Sequence, residues 1–405
     1  MPKLIVMVGL PGSGKSYVVK NELQGYKVFS SDAYRLLICG DENCQDRNQE
    51  VFTRLYKDLR AALQNGEDCV FDATNVTRKD RARIFNQIKG IPDVEVIAYV
   101  MRTPFETCVK NDQNRERTVG YDVIKKFLYR YEFPQRFEGF SDIVIDKFDS
   151  TVELTEEQEA GITSKFFETI GKMKEWDQEN PHHIHNLYDH CFILAEHFPE
   201  ATSKWFAGIL HDVGKMFTKF YDNQSIAHYY NHDYVGTYYI LSELLEFFHD
   251  DTQDFIEHLL FLVNYHMKGH KDFRGSNEKK YRQLFGDIWY DDLIAFADAD
   301  MHASGTEIIH NMLKQWIKED KLSYKEIIAK EEYKELMCYS KQHDADEVAT
   351  TSVEPVYYSE LSPEHLYYNV MYHMTLTEHS AESRAAAIKN LIFRSIKKCQ
   401  TSNQS

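Results

Sequence analysis

Short apolar runs alternate with amphipathic stretches across the first 146 residues, and this alternation predicts a parallel sheet with crossover helices. The pattern places strands at 3–8, 27–30, 68–72, 94–101 and 142–145. Helical spacing marks 15–23, 46–65, 78–89, 104–114 and 121–130. An acidic, turn-like bridge follows at 147–159, with Thr155 and Gln158 at capping-box spacing for the next helix. From 158 to about 322 strand alternation gives way to helical periodicity rich in histidine. A second break at 342–363 precedes a final helical stretch opened by Ser362-Pro363, a cap followed by a first-turn proline. No internal period repeats. The expected architecture is multidomain: an N-terminal α/β domain with a parallel sheet at 1–150, an all-α domain at 158–305, and a helical C-terminal extension at 306–405. That extension, amphipathic around Ile308, Met312 and Trp316, is expected to pack on the preceding helices or on another subunit, which leaves a homo-oligomer open.

Composition narrows the function classes. A chain of 405 residues has room for two or three cores. A net charge of −17 and a pI near 5.5 argue against broad non-specific duplex binding, which needs an extended basic face, but not against a local basic channel. Seven cysteines (39, 44, 69, 108, 191, 338 and 399) include no C-x-x-C pair, and their odd number fits a reduced compartment. The chain opens directly on its first strand and has no run of 18 apolar residues, so a cytoplasmic protein without membrane association is expected.

The chemistry begins at residues 9–16, GLPGSGKS, where an apolar strand runs into a glycine loop and then a helix-competent segment. The pattern G-x-x-x-x-G-K-[ST] is that of a phosphate-binding loop. Gly9, Gly12, Ser13 and Gly14 let the backbone N–H groups curl toward phosphate oxygens of ATP or another nucleoside triphosphate. Lys15 is expected to bridge the β- and γ-phosphates, and the Ser16 hydroxyl to bind Mg²⁺. After the second strand, Asp32 could accept a proton from an attacking hydroxyl and Arg35 could hold an anionic acceptor; Asp32 could equally be only a helix cap. Asp72 ends the third strand, where it could order Mg²⁺ or simply close an Asx turn. Residues 102–136 are locally basic, and within them Arg115 and Arg117 are candidates for a lid over the phosphates.

In this order and spacing, GLPGSGKS, SSDAYR, FDATN and the N-R-E-R stretch resemble the 5′-hydroxyl polynucleotide kinase branch of P-loop kinases, over residues 1 to about 146. The resemblance implies a general base at Asp32, a nucleic-acid phosphate contact at Arg35, and an ATP contact at Arg115 or Arg117. Related P-loop enzymes that act on small molecules share the first and third motifs.

The later half carries a second constellation. His211-Asp212-Val-Gly-Lys215 sits in an apolar stretch, preceded by His190 and followed by His228, His232, His266, His270 and Asp298. Burying His beside Asp is costly unless both bind something. His182, His183 and His185 crowd just before the first of these without an assigned role. The string resembles the HD phosphohydrolase superfamily over about 180–302. By that match His190, His211, Asp212 and Asp298 are core metal ligands, His232 and His266 serve a second metal, and Lys215 contacts substrate phosphate. The imidazole–carboxylate donor set suits Mn²⁺, Fe, Ni²⁺, Co²⁺ or Zn²⁺.

Together the halves resemble bacterial and phage end-healing enzymes in which a polynucleotide kinase is joined to an HD phosphohydrolase, although there the HD module precedes the kinase. That resemblance implies phosphorylation of 5′-OH ends and removal of a 3′-phosphate or 2′,3′-cyclic phosphate from RNA or DNA, for a separate ligase to seal. The alternative is a nucleoside or small-molecule kinase fused to a nucleotide phosphohydrolase.

Overall fold

The computed structural model describes residues 1–335 apart from 43, 116, 184, 305 and 306, with backbone alone at 307–311. The expected break at 342–363, the helix after Ser362-Pro363, the side chain of Ile308 and most of the 306–405 extension lie outside the described residues. The chain divides into two compact units. One comprises Met1–Asp149 with Thr237–Glu243 and Lys279–Gly286; the other takes the remainder.

The first unit is built on β1 (Lys3–Val8), in which five successive residues from Leu4 are buried. Such a run marks a strand covered on both faces. Around it lie α1 (Lys15–Asn21), β2 (Lys27–Ser30), α2 (Ser31–Cys39), α3 (Asn48–Gln64), β3 (Cys69–Asp72) and α4 (Arg78–Ile88). The unit continues with β4 (Glu95–Val100), α5 (Phe105–Gln113), α6 (Tyr121–Leu128) and β5 (Asp142–Ile145). The strands form one parallel sheet in the order β2-β3-β1-β4-β5. Register pairs Ser30 with Asp72, so the carboxyl ends of β2 and β3 open at one level beside the loop that follows β1. Helix α2 is not among the helical stretches expected from the sequence; it leaves Leu36 and Leu37 largely exposed and buries only Ser31.

The second unit opens with α7 (Glu156–Lys174), begun by the Thr155–Gln158 capping box. It continues through α8 (Leu187–Ala195), α9 (Ser203–Leu210), α10 (Lys215–Thr218), β6 (Phe220–Tyr221), β7 (Ala227–His228) and the first turn of α11 (His232–Tyr239). Then follow α12 (Gln253–Gly269), α13 (Glu278–Phe285, counted largely with the first unit), α14 (Asp287–Ser304), α15 (Glu307–Lys318) and α16 (Tyr324–Ala329). The β6–β7 pairing departs from the expected strand-free stretch, because two-residue strands are too short to show alternation. Asn186, Thr202 and Thr252 start α8, α9 and α12 by accepting a backbone N–H three residues on. Helices α8, α9, α12 and α14 pack on one another, and α12 is buried without interruption from Ile256 to His266. A helix apolar all round belongs in the middle of a core.

One buried ion pair ties the first unit together. The Arg81 guanidinium on α4 donates to both Glu138 carboxylate oxygens at 2.8 and 2.7 Å, and to the carbonyls of Asn75 and Glu132 at 3.0 and 2.9 Å. Arg81→Ala strands a buried carboxylate and two carbonyls, and is expected to cost about 3–5 kcal/mol. Denaturant unfolding compared with the parent protein measures this; an unchanged midpoint contradicts it.

Candidate functional site

The first unit gathers its predicted residues at the carboxyl edge of the sheet, where ligands bind in open α/β folds. All of them except Gly9 and Ser13 line one cavity of 470 Å³. Gly12 has a left-handed φ of +79°, and a Cβ there would lie 2.2 Å from the Cys108 carbonyl oxygen, so only glycine fits. The loop is held from behind by Asn111, which donates to the Gly12 carbonyl at 2.9 Å, and by Thr103, which donates to the Ser13 carbonyl at 2.8 Å. Lys15 folds back on the Gly9 and Leu10 carbonyls at 3.0 and 2.7 Å, and burial lowers its pKa to about 8. Ser16 donates to Asp72 at 3.2 Å. Burial raises the Asp72 pKa against the opposing pull of Lys15. A hydroxyl and a carboxylate at the foot of a phosphate loop fit Mg²⁺, a cation that prefers oxygen ligands.

Asp32 sits in the first turn of α2 and makes no cap. Its carboxylate instead receives Arg35 at 2.6 Å and Arg117 at 2.9 Å. Arg117 also pairs with Glu42 at 3.1 Å. Arg115 is turned onto the buried Asp112, whose oxygens accept the Val119 and Gly120 N–H groups and fix the turn before α6. Of these two arginines, Arg117 is the one that reaches Asp32.

The second unit brings His190, His211, Asp212, His232 and His266 into one buried cluster from α8, α11, α12 and the turn after α9. Asp298 is not among them. It is half-exposed and paired with Arg274, while Asp300 lies 3.1 Å from His190 Nε2 and 3.5 Å from His211 Nε2. Helical register explains the correction: the buried stripe of α14 runs Leu293, Phe296, Ala297, Asp300, Ala303, and Asp298 falls off it. The His211-Asp212 pair occupies a tight turn between α9 and α10 rather than a helix, with Lys215 N–H donating to the Asp212 carbonyl at 2.9 Å. His228 stands apart on Asp222 at 3.0 Å, and His270 bonds Asp300 at 2.9 Å.

The groups behind the histidine rings decide what the cluster can bind. Nδ1 of His190, His211, His232 and His266 lies 3.1, 2.8, 2.6 and 2.7 Å from the carbonyls of Ala303, Gly208, Tyr229 and Val263. A carbonyl only accepts, so each Nδ1 carries a proton, and Nε2 is the atom that each ring can offer to a cation. The Nε2 atoms of His190 and His211 are buried, with the Asp212 carboxylate at 3.2 and 3.3 Å and the Asp300 carboxylate at 3.1 and 3.5 Å. Those of His232 and His266 face each other at 3.1 Å, which is repulsive for two lone pairs unless a cation intervenes. The donors form three overlapping triads: His190–His211–Asp212, His211–His266–Asp300 and Asp212–His232–His266. Burial pushes the Asp212 carboxyl up, but His211, Lys215 and His232 outweigh it and hold it well below the usual range. This donor set fits one or two divalent transition metals. Lys215 aims inward, donating to Asp212 at 2.6 Å and Gln178 at 2.8 Å. Gln178 and His270 went unassigned in the sequence, which carries no mark for residues that act on a site through another side chain.

Residues 4–134 match the AAA domain family. The chain is similar to the Kti12 protein of Schizosaccharomyces pombe, 25% identical over 146 residues that make up 32% of this chain and 52% of that protein. It is also similar to human 6-phosphofructo-2-kinase/fructose-2,6-bisphosphatase 4, 37% identical over 107 residues, 21% of this chain and 22% of that one. The chain thus spans about half the length of the first relative and about a fifth of the second. Among solved structures, a chain of the Pnkp1/Rnl/Hen1 complex aligns with a TM-score of 0.25 and 24% identity, covering 30% of this chain and 44% of that chain. Phosphate loop, parallel sheet and family match together define the N-terminal domain as P-loop kinase-like. Among the described residues no helix is long and apolar enough to cross a membrane.

Gly214 supplies a test of the cluster's framework. A Cβ there would meet the His232 carbonyl oxygen at 2.0 Å and the Gly236 nitrogen at 2.6 Å. Gly214→Ala must displace the backbone that carries His232, and is expected to lower stability by about 1–3 kcal/mol in denaturant titration.

Proposed function

We propose that the chain heals nucleic-acid ends: the first unit phosphorylates 5′-OH termini with ATP or another nucleoside triphosphate, and the second removes 3′-phosphate or 2′,3′-cyclic phosphate. The observation that supports this best is the presence, in separate units, of a phosphate cradle with a carboxylate base and a buried imidazole–carboxylate cluster. In the first unit the 5′ oxygen attacks the γ-phosphorus, its proton passes to Asp32, and the nucleoside diphosphate leaves. Lys15, Arg115 and Arg117 neutralise the charge on the transferring group, and Arg35 holds the acceptor's phosphate. In the second unit water adds to phosphorus, the bond to the ribose oxygen breaks, and that oxygen leaves protonated. A divalent transition metal supplies Lewis-acid polarisation there. Asp212, Asp300 and the four Nε2 atoms provide the donors, and Lys215 balances anionic charge beside them.

The 37% identity to a kinase of a phosphorylated sugar favours a second reading, in which both units act on small molecules. Incubation with ATP and oligonucleotides bearing defined ends, read by mass, separates the two: phosphorylation of a free nucleoside as fast as of an oligonucleotide supports the second. On the first reading, Lys15→Ala abolishes 5′ phosphorylation and spares 3′ hydrolysis, and Asp212→Ala does the reverse. Loss of both activities from either substitution sinks the assignment of one activity to each unit. Metal content gives an independent check. Asp300→Ala is expected to weaken transition-metal binding more than about tenfold, whereas Asp298→Ala leaves the metal stoichiometry intact.

A further inference from the structure

A cavity of 430 Å³ in the second unit adjoins the histidine cluster and is lined by residues to which the proposed phosphate removal gives no task. Tyr324 and Ile328 stand four apart on α16 and share a helix face toward it. Ile327, one residue earlier, is buried in a core with Leu313, Trp316 and Tyr333, and Tyr324 packs against that core as well. The helix is held in place: Tyr324 N–H donates to the Gln224 carbonyl at 2.9 Å, and the Gln224 side chain donates to the Ile317 and Leu322 carbonyls at 3.2 and 2.6 Å. Tyr333, buried, donates its hydroxyl to the Pro181 carbonyl at 3.1 Å. Two phenol rings and an aliphatic side chain are therefore fixed along the cavity before any ligand arrives.

His183 forms the wall toward the cluster. Its Nε2 lies 3.4 Å from Lys215 Nζ, which itself touches Asp212, and its ring centroid is 5.3 Å from that of His190. Its Nδ1 is buried without a hydrogen-bond partner. On the outer side stand the exposed carboxylates of Glu175 and Asp177.

We propose that this cavity seats one nucleoside, whose phosphate ester is thereby presented to the histidine–aspartate cluster; the inference rests on the phosphohydrolase reading of that cluster. Aromatic and aliphatic walls suit a flat base, which stacks whatever its identity. The volume falls within the roughly 300–1,000 Å³ of small-molecule sites. The carboxylates of Glu175 and Asp177 accept from base N–H and sugar O–H groups, and Lys334 stands at the same cavity. The bound nucleotide comes either free or as the last residue of a strand.

Calorimetric titration of the full chain with a nucleoside 3′-monophosphate, a 3′-phosphorylated oligonucleotide and ribose 5-phosphate tests this. Both nucleotide probes are expected to bind at least about tenfold more tightly than ribose 5-phosphate, and Tyr324→Ala to remove most of that advantage while Tyr324→Phe keeps it. Ile328→Asp, at a half-exposed position, provides a second variant with the same expected loss. Equal binding of all three probes, or nucleotide binding untouched by both Tyr324→Ala and Ile328→Asp, overturns the inference. A mononucleotide that binds as tightly as the oligonucleotide assigns the cavity to free nucleotides; a tighter oligonucleotide assigns it to strand ends; either supports it. Base-dependent binding without phosphate release sinks the phosphohydrolase reading and leaves the cavity standing. Release of phosphate from p-nitrophenyl phosphate without base-dependent binding does the opposite.

Discussion

Two carboxylates buried among four imidazoles set the terms for the second unit. Asp212 and Asp300 are removed from water, and every neighbouring histidine of the cluster already commits its Nδ1 proton to a backbone carbonyl. Desolvating such a set is costly unless positive charge is returned to its centre. Without a metal, protons do this: burial opposes charge on His211, but the carboxylates, Asp212 foremost, raise its pKa well above the ordinary value. Much of the surrounding architecture serves this point. Side-chain caps start three of the packed helices, α12 is buried throughout its middle, and Gly214 lets the turn carrying Asp212 press against the backbone of His232.

The first unit solves a different problem with simpler means. Its charges sit at the rim of a sheet instead of inside a core, and strand register alone brings Ser30 level with Asp72. The loop after β1 supplies backbone dipoles there, and α5 braces it through Asn111. The buried Arg81–Glu138 pair also holds the Asn75 carbonyl, next to Thr74, whose own carbonyl accepts the Gly9 N–H, and so ties this rim to α4 from behind. Each unit thus gathers polar groups with what its architecture provides: backbone N–H groups and long arginines at a sheet edge in one, rigid imidazoles and carboxylates inside a helical core in the other.

Much of this was legible in the residues. The five strands follow directly from their apolar runs, and the phosphate loop from its glycines and lysine. The Thr155–Gln158 cap was readable because both partners lie in one short segment. Asp300 was available in principle, since it continues the three-and-four spacing of Leu293, Phe296 and Ala297 that Asp298 breaks. Other features leave no local trace. Helix α2 has almost no buried face, and the carbonyls that orient the histidine rings are backbone atoms that no side-chain pattern announces. The bond from Tyr333 to Pro181, which brings α16 and its neighbours beside His183, joins positions 152 residues apart, a pairing that local periodicity cannot supply.

The paired arginines on Asp32 bear on how the first unit avoids wasting its triphosphate. On the proposed reading this carboxylate is the proton acceptor, yet in the free protein its oxygens are occupied by Arg35 and Arg117. Each oxygen is held by a different guanidinium, Oδ1 by Arg35 and Oδ2 by Arg117, so an acceptor hydroxyl must compete with two charge-assisted bonds to reach it. On that reading the triphosphate draws off Arg117 and the acceptor's phosphate draws off Arg35, so both ligands are needed to free the carboxylate. Idle turnover, in which a stray water molecule consumes the triphosphate, is thereby discouraged until a genuine acceptor is in place.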